Sequence, residues 1–282
     1  MEIKKVAVIG GGTMGNGIAH VFALNDYEVF LCENNEELYD KAINTITKNL
    51  ERQVSKGTID ENKKLSTLSK INKVIGAENL SSDIDLFIEA IYENKDAKLS
   101  LFSRLAKIAK ENSIIATNTS SISITELSTA VNPSNFIGMH FMNPVPVMKL
   151  VEIIRGYSTS DDTFETIKEL TIKIDKVPVE VHDYPGFISN RILMPMINEA
   201  IYALMEGVAS KEAIDNVMKL GMNHPMGPLT LADFIGLDVC LSIMEVLYNG
   251  FNDPKYRPCP LLKKMVAAKK LGRKTGEGFY KY

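Results

Sequence analysis

The stretch VAVIGGGTMGNGIAH, residues 6–20, decides the fold of this chain. Its first part, Val6–Ile9, is short and rich in β-formers, which is typical of a strand buried on both faces. A small-residue helix follows, and the turn between strand and helix contains the pattern Gly10-x-Gly12-x-x-Gly15. In a dinucleotide-binding turn, the first glycine allows the tight turn, the second lets the backbone approach a pyrophosphate, and the third lets the helix pack against the strand.

Glu33 is the expected acidic partner of this turn. It ends the next strand candidate and lies 18 residues after Gly15. A carboxylate near that spacing holds the ribose hydroxyls and would repel a 2′-phosphate, so the spacing favours NAD over NADP. Thr13 and Met14 complete the predicted cofactor-binding turn. Two alternatives stay open: FAD as the dinucleotide, and a Glu33 that is a solvated loop carboxylate.

The first part of the chain alternates between strand and helix candidates, which predicts a parallel sheet with helices on both faces. Strands are expected at Glu28–Leu31, Lys73–Ile75, Leu86–Glu89 and Ser113–Thr117, and helices at Met14–Leu24, 34–56, 57–70 and Ala97–Lys110. Two further strands, Phe136–Phe141 and Met148–Ile154, flank the stretch MNPVPV and predict an antiparallel addition to the sheet. A helix at Asp162–Ile174 and a strand at Pro178–Val181 close this part.

A domain boundary is expected at His182–Gly186, where Pro-Gly precedes a different pattern. Beyond it, helices are predicted at Phe187–Met205, Ser210–Leu220, Leu229–Tyr248 and Pro260–Lys269. The predicted fold class is therefore α/β. A Rossmann-type, doubly wound parallel sheet domain (residues 1–183) precedes an all-helical C-terminal domain (residues 184–282) for substrate binding and dimerisation.

Composition narrows the class of protein. The 282 residues carry a net charge of -3 from 32 basic and 35 acidic side chains, which gives no reason to expect nucleic acid or an anionic membrane as partner. The three cysteines form no CxxC pair, which favours a reducing compartment and argues against a metal site. No apolar run approaches the roughly 20 residues that span a bilayer. We expect a cytoplasmic protein.

His140 is the candidate acid/base among four histidines, since His20 is expected to be structural and His182 and His224 solvated or capping. If the two strands that flank Pro146 pair about it, residues whose numbers add up to 292 stand opposite one another, and His140 faces Glu152. A carboxylate there could hold the imidazole in one tautomer, as a base that takes an alcohol proton requires. The alternative is a hydrogen-bonded core histidine.

Five segments carry a resemblance to a known family: NTSSISITEL (118–127), GMHFMNPVPVMKLVEII (138–154), DYPGFISNRILMPMINEA (183–200), NHPMGPLTLADFIGLDV (223–239) and GRKTGEGFY (272–280). They resemble the short-chain L-3-hydroxyacyl-CoA dehydrogenases, and within that family the bacterial members that act on 3-hydroxybutyryl-CoA. The resemblance runs from Lys4 to Tyr280. It implies NAD-dependent oxidation of a 3-hydroxyacyl-CoA to the 3-ketoacyl-CoA and the reverse reduction, with acetoacetyl-CoA and 3-hydroxybutyryl-CoA as the expected acyl-CoA substrates.

The resemblance also implies roles for individual residues. It makes His140 the general acid/base and Glu152 its orienting partner, while Ser120 and Asn190 match residues that hydrogen-bond the substrate hydroxyl. The remaining matches are Asn143 near substrate and nicotinamide, Glu93, Lys98 and Asn118 as cofactor contacts, and Lys56 as a CoA contact. Ser120 could instead cap the segment that follows it, and Asn190 could cap or link helices. The span from Ser120 to His140 is one residue shorter than expected for the family, in the region of Asn132-Pro133.

Lys48, Arg52 and Lys56 form one positive stripe at helical spacing, which suits the phosphates of CoA. Such a stripe is also typical of a solvated helix face. Other hypotheses are a dehydrogenase of the same fold acting on a sugar acid or other 3-hydroxy acid without CoA, and a non-catalytic binding protein. Apolar stretches such as PMINEAIYALM (195–205) in the helical part predict a homodimer, as does the family resemblance.

Overall fold

The computed structural model describes residues 1–282, which divide into two compact units, Met1–Asp183 and Tyr184–Tyr282. The strands of the first unit are β1 (Lys5–Ile9), β2 (Glu28–Glu33), β3 (Ile71–Ile75), β4 (Leu86–Glu89), β5 (Ile114–Thr117), β6 (Phe136–Phe141), β7 (Leu150–Arg155) and β8 (Val177–His182). Its helices are α1 (Gly15–Leu24), α2 (Glu36–Ser55), α3 (Glu61–Ser69), α4 (Lys95–Ile108), α5 (Ile124–Leu127) and α6 (Asp161–Lys173).

The eight strands form one sheet in the order β3-β2-β1-β4-β5-β6-β7-β8. Strands β1 to β6 are all parallel, with β1 paired to both β2 and β4. The order of the chain therefore reverses between β1 and β4, and the crevice at the carboxyl ends of these two strands is where doubly wound sheets bind ligands. The predicted α/β class with a doubly wound sheet is confirmed.

The antiparallel addition predicted from the sequence is also present. Strand β7 runs antiparallel to β6, and His140 lies directly opposite Glu152, as the register about Pro146 predicts. Strand β8 then pairs parallel with β7 and completes the sheet. The buried β6, on which no side chain is exposed, carries His140 into the interior of the unit.

Local sequence signals explain where the helices begin. Asn35, Asp60 and Asn94 cap α2, α3 and α4. Each side chain accepts the backbone N–H of the residue three positions later in the chain. Helix α1 has no such side-chain cap, because it begins directly from the glycine turn. An apolar core of β-strand residues, joined by side chains of α1, α2 and α6, holds the helices to the sheet.

The second unit is helical, with α7 (Ser189–Met205), α8 (Lys211–Asn216), a short π-helix (Val217–Gly221), α9 (Pro228–Ile235), α10 (Leu237–Phe251) and α11 (Pro260–Ala267). The single helix predicted over Leu229–Tyr248 is wrong: it is broken at Gly236, whose φ of +104° is outside the helical region and suits glycine. Buried Asp233 accepts the backbone N–H groups of Phe279 and Tyr280 and so fixes the C-terminal segment. No helix in the chain has both the length and the apolar character that a membrane span requires.

Candidate active site

The glycine turn is tightly closed at two of its glycines and open at the third. Gly10 has a φ of +94°, and its N–H donates to the carbonyl of Cys32 at 2.9 Å. A Cβ added to Gly15 would lie 1.7 Å from the carbonyl oxygen of Gly10, whereas one added to Gly12 would meet no atom within 4 Å. The backbone at Gly12 is therefore accessible to a ligand, so the turn fits the pyrophosphate of a dinucleotide.

Glu33 lies beside this turn at the end of β2. Its Oε1 accepts the N–H of Gly11 at 2.5 Å, and its Oε2 accepts the N–H of Asn34 at 3.2 Å. The half-buried carboxylate contributes to two cavities, of 430 and 490 Å³, which also share Gly12. Glu33 is thus a fixed group at a cavity wall, as a ribose-binding carboxylate requires.

The two other turn residues differ in environment. Thr13 is exposed and lines the 430 Å³ cavity, so it can contact a ligand there. Met14 is partly buried and packs against the apolar core. Its backbone begins α1, while its side chain contributes to packing.

His140 of β6 and Glu152 of β7 are in buried side-chain contact at hydrogen-bond distance. The imidazole Nδ1 lies 2.7 Å from Glu152 Oε2, and the two side chains are 11% and 2% exposed. Because a carboxylate accepts but does not donate, Nδ1 carries the proton and the ring is held in one tautomer and one orientation.

Asn118 and Ser120 follow β5 and lie on either side of a buried threonine. Asn118 Oδ1 accepts the backbone N–H of Phe141 at 2.9 Å, so this side chain fixes β6 at the residue next to His140. Ser120 is half-buried, and its N–H donates to Glu93 Oε1 at 3.0 Å. The sequence segment NTSS is therefore joined both to β6 and to the loop after β4.

Glu93 and Lys98 are in direct contact. Lys98 is 1% exposed, and its Nζ lies 3.3 Å from Glu93 Oε2. Burial opposes ionisation of Glu93, but the charge of Lys98 and the hydroxyl of Thr119 prevail and hold the pKa of this carboxyl below its usual range. Glu93 is therefore a carboxylate at neutral pH.

Asn143 lies in the loop between β6 and β7 and lines the 430 Å³ cavity opposite the glycine turn. Lys176 holds this loop, since its ammonium group donates to the carbonyls of Val145 at 2.6 Å and Met148 at 2.7 Å. Burial lowers the pKa of Lys176. Sequence reasoning missed Lys176, because no local pattern relates it to a loop about 30 residues away.

The basic stripe of Lys48, Arg52 and Lys56 does not contribute to the cavity beside the glycine turn. All three side chains are exposed and lie outside the lining of the 430 Å³ cavity. That lining takes Lys41, Thr45 and Asn49 from α2 instead. Lys41, Thr45 and Asn49 also have i, i+4, i+8 spacing, so they share one face of the helix. Sequence reasoning missed this face because two of its three residues are uncharged.

Asn190 lies in the second unit, near the start of α7, and is 8% exposed. His20, expected to be structural, is fully buried in α1. His182 is exposed and His224 is half-buried.

Two family models match the chain almost end to end. The NAD-binding domain of 3-hydroxyacyl-CoA dehydrogenase matches residues 5–184, and the C-terminal domain of 3-hydroxyacyl-CoA dehydrogenase matches residues 186–282. The chain belongs to the 3-hydroxyacyl-CoA dehydrogenase family. It is accordingly an NAD-dependent oxidoreductase, and the resemblance inferred from the five sequence segments is confirmed.

The proteins similar to this chain include bacterial 3-hydroxybutyryl-CoA dehydrogenases. A 3-hydroxybutyryl-CoA dehydrogenase from Bradyrhizobium diazoefficiens is 55% identical over 99% of this chain and 96% of its own length. One from Clostridioides difficile is 52% identical over 99% of both chains. The crystal structure of (S)-3-hydroxybutyryl-CoA dehydrogenase from Ralstonia eutropha superposes with a TM-score of 0.97 at 49% identity, covering 100% of this chain and 99% of that one.

Proposed function

We propose that this protein interconverts (S)-3-hydroxybutyryl-CoA and acetoacetyl-CoA with NAD(H), using His140 and Glu152 as its acid/base pair. The observation that carries the chemistry is the 2.7 Å contact between His140 Nδ1 and the buried Glu152 carboxylate. The substrate class is supported by the bacterial relatives, which carry the name 3-hydroxybutyryl-CoA dehydrogenase at 52–55% identity.

The residues around the glycine turn would hold the cofactor. The exposed backbone at Gly12 would face the pyrophosphate, the Glu33 carboxylate would receive the ribose hydroxyls, and Asn143 would lie near the nicotinamide. NADH, when bound, supplies the hydride that reduces C3 of the substrate. Glu93, Lys98 and Asn118 are proposed cofactor contacts on the strength of the family resemblance.

The proton is handled by this chain's own side chains. In reduction, the imidazolium of His140 donates the Nε2 proton to the C3 oxygen; in oxidation, Nε2 takes it back. The Glu152 carboxylate accepts Nδ1–H and stabilises the imidazolium that forms. Ser120 and Asn190 are proposed to hydrogen-bond the C3 oxygen and hold it for this transfer.

The CoA moiety is proposed to lie along α2. Lys41, Thr45 and Asn49 line the 430 Å³ cavity beside the glycine turn, and Arg52 and Lys56 continue the helix beyond it. The cationic side chains of Lys41, Arg52 and Lys56, in and beside this cavity, suit the pyrophosphate and 3′-phosphate of CoA.

We also infer a homodimer and a cytoplasmic location. Exposed apolar side chains of the second unit, among them Leu220 (83% exposed), Val208 (73%) and Met222 (62%), support a homodimer formed through that unit. All three cysteines are unpaired and buried, which supports a cytoplasmic enzyme.

A paired assay tests the proposed substrate. NADH oxidation is followed with acetoacetyl-CoA and with free acetoacetate at equal concentrations, and the acetoacetyl-CoA arm is repeated with NADPH. We expect turnover with the thioester and NADH, and at least ~10-fold lower kcat/KM for the free acid and for NADPH. The free acid lacks the phosphates of CoA, and the 2′-phosphate of NADPH would be repelled by the Glu33 carboxylate. Equal kcat/KM for the thioester and the free acid would refute acyl-CoA as the substrate.

A further inference from the structure

A buried charged cluster stands at the carboxyl end of β4, next to the site. It consists of Glu89, the last residue of β4, together with Lys98 of α4 and Glu93 of the loop that joins them. Lys98 Nζ lies 2.6 Å from Glu89 Oε1 and 3.3 Å from Glu93 Oε2. Glu89 and Lys98 are 0% and 1% exposed, so their charges are removed from water and depend on one another.

The Glu89 carboxylate accepts hydrogen bonds from the loop after β4 and from β5, in addition to its contact with Lys98 of α4. Its Oε1 also accepts the N–H of Ile91 at 2.7 Å, and its Oε2 accepts the hydroxyl of Thr117 on β5 at 2.6 Å. This carboxylate therefore fixes the position of the Lys98 ammonium relative to the two central strands, β4 and β5.

Glu93 connects the cluster to the segment that carries Ser120. Its Oε1 accepts the hydroxyl of Thr119 at 2.5 Å and the N–H groups of Ser120 at 3.0 Å and Ser121 at 3.2 Å. The hydroxyls of Ser120 and Ser121 also donate to it, at 3.4 and 3.1 Å. One carboxylate oxygen thus gathers the backbone and side chains of this short turn.

The contact with Lys98 restricts the conformation of the Glu93 side chain. The Glu93 side chain is 36% exposed, and an exposed glutamate in a loop ordinarily samples several rotamers. Rotation of Glu93 into water would leave the buried Lys98 ammonium with Glu89 as its one carboxylate partner. Buried ion clusters are often no more stabilising than apolar residues in the same place, so a cluster beside the site points to a role other than stability.

We propose that Glu89 is a positioning residue: through Lys98 it holds Glu93, and Glu93 holds Ser120 where it meets the substrate. The inference rests on the proposed function, in which Ser120 binds the C3 oxygen. It adds a role for Glu89 and makes Lys98 a link between carboxylates.

The test combines kinetics with amide exchange in the full-length protein. Glu89→Gln is expected to lower kcat/KM for acetoacetyl-CoA at least ~10-fold, since sub-ångström misplacement of binding groups has effects of this size. The double variant with Ser120→Ala should be no slower than Ser120→Ala alone, because both changes disrupt the same interaction. Hydrogen exchange of the Ser120 and Ser121 amides should accelerate in Glu89→Gln.

Controls separate positioning from general damage. Ser113→Ala removes an equally buried hydrogen bond, from Ser113 Oγ to the Ile84 carbonyl at 2.7 Å, at the amino end of β5. It should lower stability without changing the kinetics or the exchange of the Ser120 amide. If Glu89→Gln does not fold, combining it with Lys98→Met leaves no buried charge without a partner, and this double variant should give the same pattern.

The failures are distinguishable. Unchanged exchange at Ser120 and Ser121, or multiplicative losses in the double variant, would overturn the positioning role. A change in NADH affinity alone would also overturn it, since the cluster would then serve the cofactor. Accelerated exchange with a Ser120→Ala variant of normal activity would instead refute the proposed role of Ser120 itself.

Discussion

Gly12 differs from the other glycines of its turn in what surrounds it. Gly15 has a carbonyl oxygen at 1.7 Å from its potential Cβ, so any side chain there breaks the turn. Gly12 has open space in that direction, so packing within the protein does not require a glycine there. Its small size is explained by what binds beside it.

Gly12→Ala is therefore expected to fold normally and to bind NADH poorly. The added methyl group enters the space of the pyrophosphate, and overpacking of about 1–3 kcal/mol corresponds to a ~5- to ~150-fold rise in the NADH Kd. Fluorescence titration of NADH and thermal unfolding measure the two effects. Gly15→Ala is the contrasting variant, which should lose stability. An unchanged NADH Kd in Gly12→Ala would contradict the placement of the pyrophosphate beside Gly12.

At this scale, the sequence predicted residues whose partners are set by local rules. His140 and Glu152 share one antiparallel pair, so a register about Pro146 was enough to bring them together. Glu89 could not be found in this way, because it reads as the end of a buried strand. Its partner Lys98 lies on a helix whose rotation about its axis only packing determines.

Helix α1 contains a histidine whose burial has a measurable consequence. His20 is fully buried, neither ring nitrogen has a hydrogen-bond partner in the protein, and burial lowers the pKa of His20 to about 4 from 6.5. Between these two values, the unfolded chain binds the proton and the folded one does not. The free energy of unfolding therefore falls as the pH decreases from 6.5 to 4.

His20→Leu should flatten this dependence. Burial of the neutral ring accounts for a fall in the free energy of unfolding of about 3 kcal/mol across the window, at about 1.4 kcal/mol for each unit of pKa. Urea unfolding at several pH values measures it, with His182→Leu as the exposed control that should change nothing. The same pH slope in His20→Leu and the wild type would contradict the explanation.

Helix α2 gives a second test at the scale of an element. Reversing the charges of Arg52 and Lys56 should raise the KM for acetoacetyl-CoA at least ~3-fold, a modest effect because both side chains are exposed. The KM for NADH should stay unchanged. Lys41→Glu, at the cavity lining, is the comparison: if it raises the acyl-CoA KM while the Arg52 and Lys56 reversals do not, CoA binds along the cavity only.

Elements were predictable where one signal dominates. Strands β4 and β6 have the bounds that the sequence predicted, because each is a short apolar run with clear ends. The break between α9 and α10 was missed, since Gly236 interrupts an apolar pattern that otherwise continues through it. The loop after β6 depends on Lys176, which is distant in sequence.

At the scale of the whole molecule, the second unit has apolar side chains that its own core does not cover, Leu220 and Val208 among them. We expect a homodimer with a mass near twice 31.3 kDa by light scattering. Leu220→Lys and Val208→Lys should shift the mass toward the monomer, because a buried charge opposes association. A wild-type mass of one chain at micromolar concentration would contradict this assembly.

The family and its cofactor were predictable from motifs that run along almost the whole chain, and both family models agree with them. Substrate length and assembly depend on surfaces that no single motif describes. The roles of individual residues in the reaction require kinetic measurement, and His140 is central among them.

The most direct test is the turnover of His140→Gln with acetoacetyl-CoA and NADH. General acid–base catalysis contributes about 100-fold or more, so kcat should fall at least ~100-fold. The NADH Kd should stay at its wild-type value, because the glycine turn is unaltered. Near-normal kcat in a folded His140→Gln variant would contradict the central claim that the His140–Glu152 pair moves the proton.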